Sequence, residues 1–178
     1  MKNALRTAGV VAVAVAAAFG YVYLAENKGY ALKPGTEAPG FRLPALAGGE
    51  GDLASQRGKI VVLNFWATWC PPCVAEMPSL ERLYKTLTPE GLSVVTVSTD
   101  EDQAELREFV SRHGLTLPVL LDPGGRVAGG GYRTTGYPET FLIDRQGRIL
   151  KHVVGPAEWD SPETLAELRK LMASGQPS

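Results

Sequence analysis

The chain is poor in sulfur and in net charge: its 178 residues include two cysteines, two histidines and a formal net charge of −1. A balance so near neutrality gives no electrostatic attraction to nucleic acid, and no basic stripe interleaved with aromatics is present. No segment repeats at a fixed period, which argues against a solenoid or a propeller. Two cysteines are also too few for a framework of structural disulfides. They are Cys70 and Cys73, and a bond between them closes too short a loop to restrict the unfolded chain much, because that stabilisation grows with loop length. The pair therefore reads as chemistry rather than as a staple. What remains, 44 % hydrophobic and 21 % charged residues, is ordinary globular composition with room for one sizeable core.

Charge is missing again from Thr7 to Ala25, a run rich in Ala and Val that follows Lys2 and Arg6. Cations ahead of an apolar stretch are the pattern of an export signal. A spanning helix needs about 20 apolar residues and a signal-peptide core about 7–15, so this run stands nearer an uncleaved anchor. Tyr21 and Tyr23 suit a membrane interface, and the early cations hold the N-terminus in the cytoplasm. Ala16-Ala17-Ala18 leaves a cleaved signal open. No cysteine lies near the end of the run, so a lipid-modified cysteine is excluded. Residues 1–25 are expected as signal anchor or signal peptide, 26–37 as a linker with Gly29, Pro34 and Gly35, and 38–178 as a domain on the periplasmic side.

Within that domain Phe41 to Leu46 reads as a short edge strand, its proline arguing against a central place, followed by a loop with Gly48, Gly49 and Gly51. Ile60 to Trp66 is a nearly continuous apolar run, as in a strand buried on both faces. Leu80, Leu83 and Leu87 continue a helix expected over 71–86. Ser93 to Ser98 is a second buried strand, and Asp102 to His113 a helix stopped by Gly114. Val119 to Leu121 is a short strand. Thr140 to Ile143 and Arg148 to Val154 are strands joined through the turn Asp144-Arg145-Gln146-Gly147. Ser161 caps a last helix over 162–172, with Leu165, Leu168 and Leu171 inward. The order predicts an α/β fold with a mixed sheet, parallel strands first and an antiparallel hairpin last, flanked by helices. The glycines from Gly124 to Gly131 have no assigned element.

Cys70-Pro71-Pro72-Cys73 follows the first buried strand and opens a helix. At a helix N-terminus the free N–H groups and the macrodipole stabilise an anion, so the Cys70 thiolate forms readily. Cys73, one turn in, is placed to resolve a mixed disulfide. Neither Pro71 nor Pro72 has an N–H, so two donors to the Cys70 sulfur are missing and the disulfide is expected to be comparatively hard to reduce.

Three stretches carry a resemblance: Trp69-Cys70-Pro71-Pro72-Cys73 after an apolar strand, Glu76-Met77-Pro78, and Gly136-Tyr137-Pro138-Glu139-Thr140-Phe141-Leu142-Ile143-Asp144. Together they resemble the thioredoxin superfamily, in its membrane-tethered branch of TlpA, ResA and cytochrome-c-maturation (CcmG/DsbE-like) thiol-disulfide oxidoreductases. The resemblance spans about Ala38 to Leu171 and implies a thioredoxin fold. It implies that Cys70 is the exposed nucleophile and Cys73 the resolving thiol. It makes Pro138 a cis-proline that holds the Tyr137 backbone for a substrate chain, and Trp69 a contact for partners. Asn64 stands where thioredoxin has a buried aspartate. Glu76 occupies the place of a carboxylate near the pair and is expected to move the Cys73 proton; the alternative is a solvated first-turn glutamate favoured by the macrodipole. Trp66 is expected in the core.

The function implied is an extracytoplasmic protein-disulfide reductase that takes electrons from a membrane thiol-disulfide donor, with apocytochrome c in cytochrome c biogenesis as leading substrate. A disulfide oxidase or isomerase is the alternative, although DsbA-like oxidases insert a helical domain for which this chain has no room. Tyr137 departs from the small or β-branched residue common before the cis-proline, which bears on substrate identity. No cofactor is expected. A metal site from Cys70, Cys73, His113 and His152 is disfavoured because no spacing pairs the histidines. A thiol peroxidase is disfavoured by Ala67, where that family's motif has threonine. A non-catalytic binding module is disfavoured because both cysteines are present.

Overall fold

The computed structural model describes residues 32–174, all within the second of two units, Ala31–Ser178. The expected helix at 1–25 lies outside the described residues. Among those described, no helix is long and apolar enough to cross a membrane.

A hairpin comes first, β1 (Arg42–Pro44) against β2 (Glu50–Asp52), and a 3₁₀ turn (Ala54–Gln56) leads out of it. The sequence pattern predicts only a loop where β2 runs. Gly48 and Gly49 take φ of 101° and 77°, which reverses the chain in so short a space. Gly51 pairs with Leu43, and a Cβ on it would come within 2.6 Å of the Leu120 side chain. The residue is therefore glycine because another side chain occupies its space, and an alternation pattern cannot register that.

Five strands form the main sheet: β3 (Val61–Trp66), β4 (Ser93–Ser98), β5 (Val119–Leu121), β6 (Glu139–Ile143) and β7 (Ile149–Val154), in the order β5-β4-β3-β6-β7. β3, β4 and β5 pair in parallel, and β6 runs antiparallel to both β3 and β7. This is the mixed sheet expected. All residues of β3 are buried, with period-two alternation dividing them between two cores. Val62 and Trp66 face a cluster shared with α1 (Pro71–Leu87), α2 (Gln103–Arg112) and α3 (Pro162–Ala173), through Leu80, Leu83, Leu106 and Leu168. Val61, Leu63 and Phe65 face a second cluster with Leu43, Leu53, Tyr132 and Phe141. Residues of the expected linker run along the start of β7: Ile149 N–H donates to the Thr36 carbonyl at 2.9 Å, and Gly35 N–H to the Ile149 carbonyl at 2.7 Å.

Local signals placed the helices well. Asp102 caps α2 by accepting from Ala104 and Glu105 N–H, and Ser161 caps α3 through Thr164 N–H. The glycine-rich stretch forms a π-helical segment, Arg126–Gly131. Its opening is tied by the buried carboxylate of Asp122, which accepts from Val127 and Ala128 N–H. A side chain from the end of β5 thus shapes a segment with no helical pattern of its own.

Candidate active site

β3 ends at Trp66, and α1 begins at Pro71 with Cys70 as its N-cap. Cys70 and Cys73 form a disulfide, with Cα atoms 5.3 Å apart. With proline at the first two helical positions, Cys73 supplies the N–H that reaches the Cys70 sulfur, at 3.3 Å. The two donors expected to be missing because of the prolines are thus absent from the site. Cys73 is fully buried, and Cys70, expected to be exposed, is buried as well at 5 % exposed because the Tyr137–Pro138 loop covers it, its sulfur 3.4 Å from the Tyr137 carbonyl oxygen.

The Tyr137–Pro138 bond is cis. The Tyr137 ring meets Trp69 edge-on with centroids 5.8 Å apart, and Trp69 is 64 % exposed. Beside these rings lies a groove of about 490 Å³, lined also by Thr99, Glu101, Gly125 and Gly136. Gly125, at φ 63°, leaves room for the Tyr137 hydroxyl, which a Cβ would approach to 3.2 Å.

Behind the disulfide stands Glu76, three residues past Cys73 on the same face of α1. It is 3 % exposed, which sets aside the solvated alternative. Oε1 accepts from Asn64 Nδ2 at 2.8 Å; Oε2 accepts from Ala157 N–H and from Trp159 Nε1–H, each at 3.1 Å. Burial pushes its pKa above the usual carboxylate value, and the three hydrogen bonds oppose that without cancelling it. Asn64 Nδ2 donates also to Thr140 Oγ1 at 2.9 Å, while among the described residues its Oδ1 is a buried acceptor with no partner and Trp66 Nε1 a buried donor with none. Trp66 is fully buried, as expected.

The sequence chemistry is brought together here: exposed Trp69 and half-buried Tyr137 at the mouth, buried Cys70, Cys73 and Pro138 behind them, and Asn64 and Glu76 beneath. The two histidines are not. His113 stacks on Phe109, and His152 lies against Glu139, its Nε2 2.7 Å from Oε2. Glu139, 1 % exposed, accepts on its other oxygen from Thr135 N–H at 2.7 Å and Gly136 N–H at 3.2 Å, fixing the approach to the cis bond. Sequence reasoning missed Glu139, Ala157 and Trp159 as parts of the site. A tryptophan in the otherwise polar stretch Glu158 to Glu163 was the available signal.

The sequence profile of the AhpC/TSA family matches residues 34–152, two thirds of the chain. The chain belongs to the AhpC/TSA family. Within it the likeness is to thiol-disulfide oxidoreductases. ResA of Bacillus thuringiensis (strain Al Hakam) is 37 % identical over 121 residues, 68 % of this chain and 69 % of that protein. ResA of Geobacillus thermodenitrificans (strain NG80-2) is 37 % identical over 148 residues, 82 % and 84 % of the two. A Chlorobium tepidum structure assigned as the thiol:disulfide interchange protein DsbE superposes with a TM-score of 0.68 at 31 % identity, over 79 % of this chain and 96 % of that one. The fold is therefore the thioredoxin-type α/β fold, and this family member is a thiol-disulfide oxidoreductase of the ResA and DsbE type with Cys70 and Cys73 as its pair. The profile match ends before Ala157 and Trp159, so the two groups on Glu76 Oε2 lie beyond it.

Proposed function

We propose that the chain is an extracytoplasmic reductase of specific protein disulfides. The observation that carries this reading is the asymmetry of the pair. Cys70 keeps 5 % exposure beside the Tyr137 carbonyl and exposed Trp69, whereas Cys73 keeps none and lies on the helix face that bears Glu76.

In the reduced enzyme the Cys70 thiolate attacks one sulfur of a substrate disulfide. A new S–S bond forms, the substrate's S–S bond breaks, and the second substrate sulfur leaves as thiolate. Glu76 takes the Cys73 proton, and the Cys73 thiolate attacks Cys70 Sγ, releasing the first substrate sulfur and closing the disulfide. Two electrons pass to the substrate, and a dithiol donor restores the pair. A buried carboxyl with a raised pKa suits proton exchange with a thiol better than an ordinary one does. Tyr137 and cis Pro138 present backbone to the substrate chain, with Trp69 packing on it.

The missing donors at Pro71 and Pro72 support the reductase direction, since a thiolate with few donors favours the disulfide form. ResA and DsbE as relatives support cytochrome c biogenesis, with apocytochrome c as substrate. Delivery outside the cytoplasm, anchoring by residues 1–25 and a membrane thiol-disulfide donor complete the proposal.

The test is the reduction potential of the Cys70–Cys73 couple, measured by equilibration with redox buffers. A value near or below about −250 mV, the thioredoxin range, is expected. A value of about −120 to −180 mV, between DsbA and protein disulfide isomerase, would assign oxidation or isomerisation instead.

A further inference from the structure

Asp100 stands two residues past the end of β4, 4 % exposed, and none of the chemistry above uses it. Its carboxylate accepts from Thr68 N–H at 3.1 Å to each oxygen and from the Thr68 hydroxyl at 2.5 Å. Ser98 Oγ donates to Oδ2 at 2.6 Å and accepts from Asp100 N–H at 3.1 Å, so the aspartate is itself held in place. Between them Thr99 N–H donates to the Trp66 carbonyl at 3.0 Å. The end of β4 therefore grips the segment joining β3 to Cys70 at residues 66 and 68.

That segment carries Trp69 and delivers the Cys70 sulfur to its place beside Tyr137. Carboxylates are seldom buried without compensation, because stripping one of water is costly. Here most of the compensation comes from one loop residue two positions before the cysteine, and Ser98 Oγ supplies the rest. Attack on a disulfide also demands alignment: reacting atoms must approach to about 3–3.5 Å, and a displacement of about 1 Å can cost about 100-fold in rate.

We propose that Asp100 is a positioning residue for disulfide exchange, its carboxylate anchoring Thr68 and so setting where Trp69 and the Cys70 sulfur stand against the Tyr137–Pro138 loop. This rests on the reading of Cys70 as the attacking thiol. The anchor is geometric and needs an acceptor at Oδ1 rather than a negative charge. Asparagine retains that acceptor: its oxygen still receives both Thr68 donors, and the Ser98 hydroxyl turns to accept from its NH₂.

The experiment uses the full chain, reduced, with insulin as protein disulfide, well below the unfolding temperature of every variant. Asp100→Ala is expected to slow insulin reduction about 10–100-fold, and Asp100→Asn to restore the rate to within about threefold of wild type on the same alignment argument. Asp102→Ala, which removes only the α2 cap, is the control for stability loss without loss of rate. Should Asp100→Ala not fold, Thr68→Val removes the hydroxyl half of the anchor, and a loss of about 3–10-fold is expected on the same argument. A rate for Asp100→Ala equal to that of Asp102→Ala, a Thr68→Val rate equal to wild type, or an Asp100→Asn rate as low as that of Asp100→Ala would each overturn the proposal, the last by showing that charge rather than anchoring acts. The two readings are separated by trapping. Cys73→Ser with native Asp100 is expected to accumulate a mixed disulfide with insulin through Cys70. If only Cys70→Ser traps, the assignment of the attacking thiol fails, and this inference with it, whatever the Asp100 variants do.

Discussion

Asn64 Nδ2 donates to Glu76 Oε1 at 2.8 Å, joining the central strand of the sheet to the carboxylate behind the buried cysteine. Where a thioredoxin aspartate would titrate, a neutral amide instead holds an acid that does. Burial raises the Glu76 pKa above 4.5. A raised folded-state value means that the associated stability is fully present below the unfolded value and is lost as pH climbs through the folded one. In Glu76→Gln that component is absent, and Asn64 can reverse its amide so that Oδ1 accepts from the introduced side-chain amide and from the Thr140 hydroxyl alike. Urea midpoints of the oxidised proteins from pH 4 to 8 should show wild type losing ground steadily to Glu76→Gln. The same variant should slow exchange and alter its pH profile. A profile identical to wild type would remove Glu76 from proton transfer.

Asn64→Asp places two carboxyls in contact in a dry site, where one must keep its proton. A loss of about 3–5 kcal/mol is expected at pH 8, shrinking towards pH 5 as the second proton binds. Equal losses at both pH values would point to packing rather than charge.

Pro72→His restores an N–H near the Cys70 sulfur. A hydrogen bond to a charged group contributes about 1.5–3 kcal/mol, which for a two-electron couple is roughly 30–60 mV. The reduction potential should rise by that order, because the thiolate of the reduced form gains a donor. A fall would refute the argument from the missing N–H groups.

Glu139→Ala leaves Thr135, Gly136 and His152 without the acceptor they share. Thr135 and Gly136 are exposed enough to turn to water, so the loss falls chiefly on half-buried His152 and urea unfolding should report about 1–3 kcal/mol. Because those donors precede the cis peptide, the apparent KM for a protein disulfide should rise more than kcat falls.

Much of this was legible from local chemistry. Continuous apolar runs marked β3 and β4, the Asp144 to Gly147 turn marked the last hairpin, and Asp102 and Ser161 marked helix starts, because each signal acts within a turn or a strand's length. The cysteine pair was readable as a motif whose chemistry needs those residues at that spacing, and Pro138 and Glu76 through the resemblance that their flanking stretches carry. What lies beside them was not. Glu50–Asp52 is a strand because Gly51 makes room for Leu120, and Arg126–Gly131 turns because Asp122 holds its amides. Trp159 reaches Glu76 from 83 positions away, and Asp100 grips Thr68 from 32. The sequence by itself determined the cysteine pair and the elements that carry it, since those depend on near neighbours. Only the tertiary structure decided which carboxylates are buried, what satisfies them and which loops they hold, because desolvation and hydrogen-bond partners arise only when distant segments close around a group.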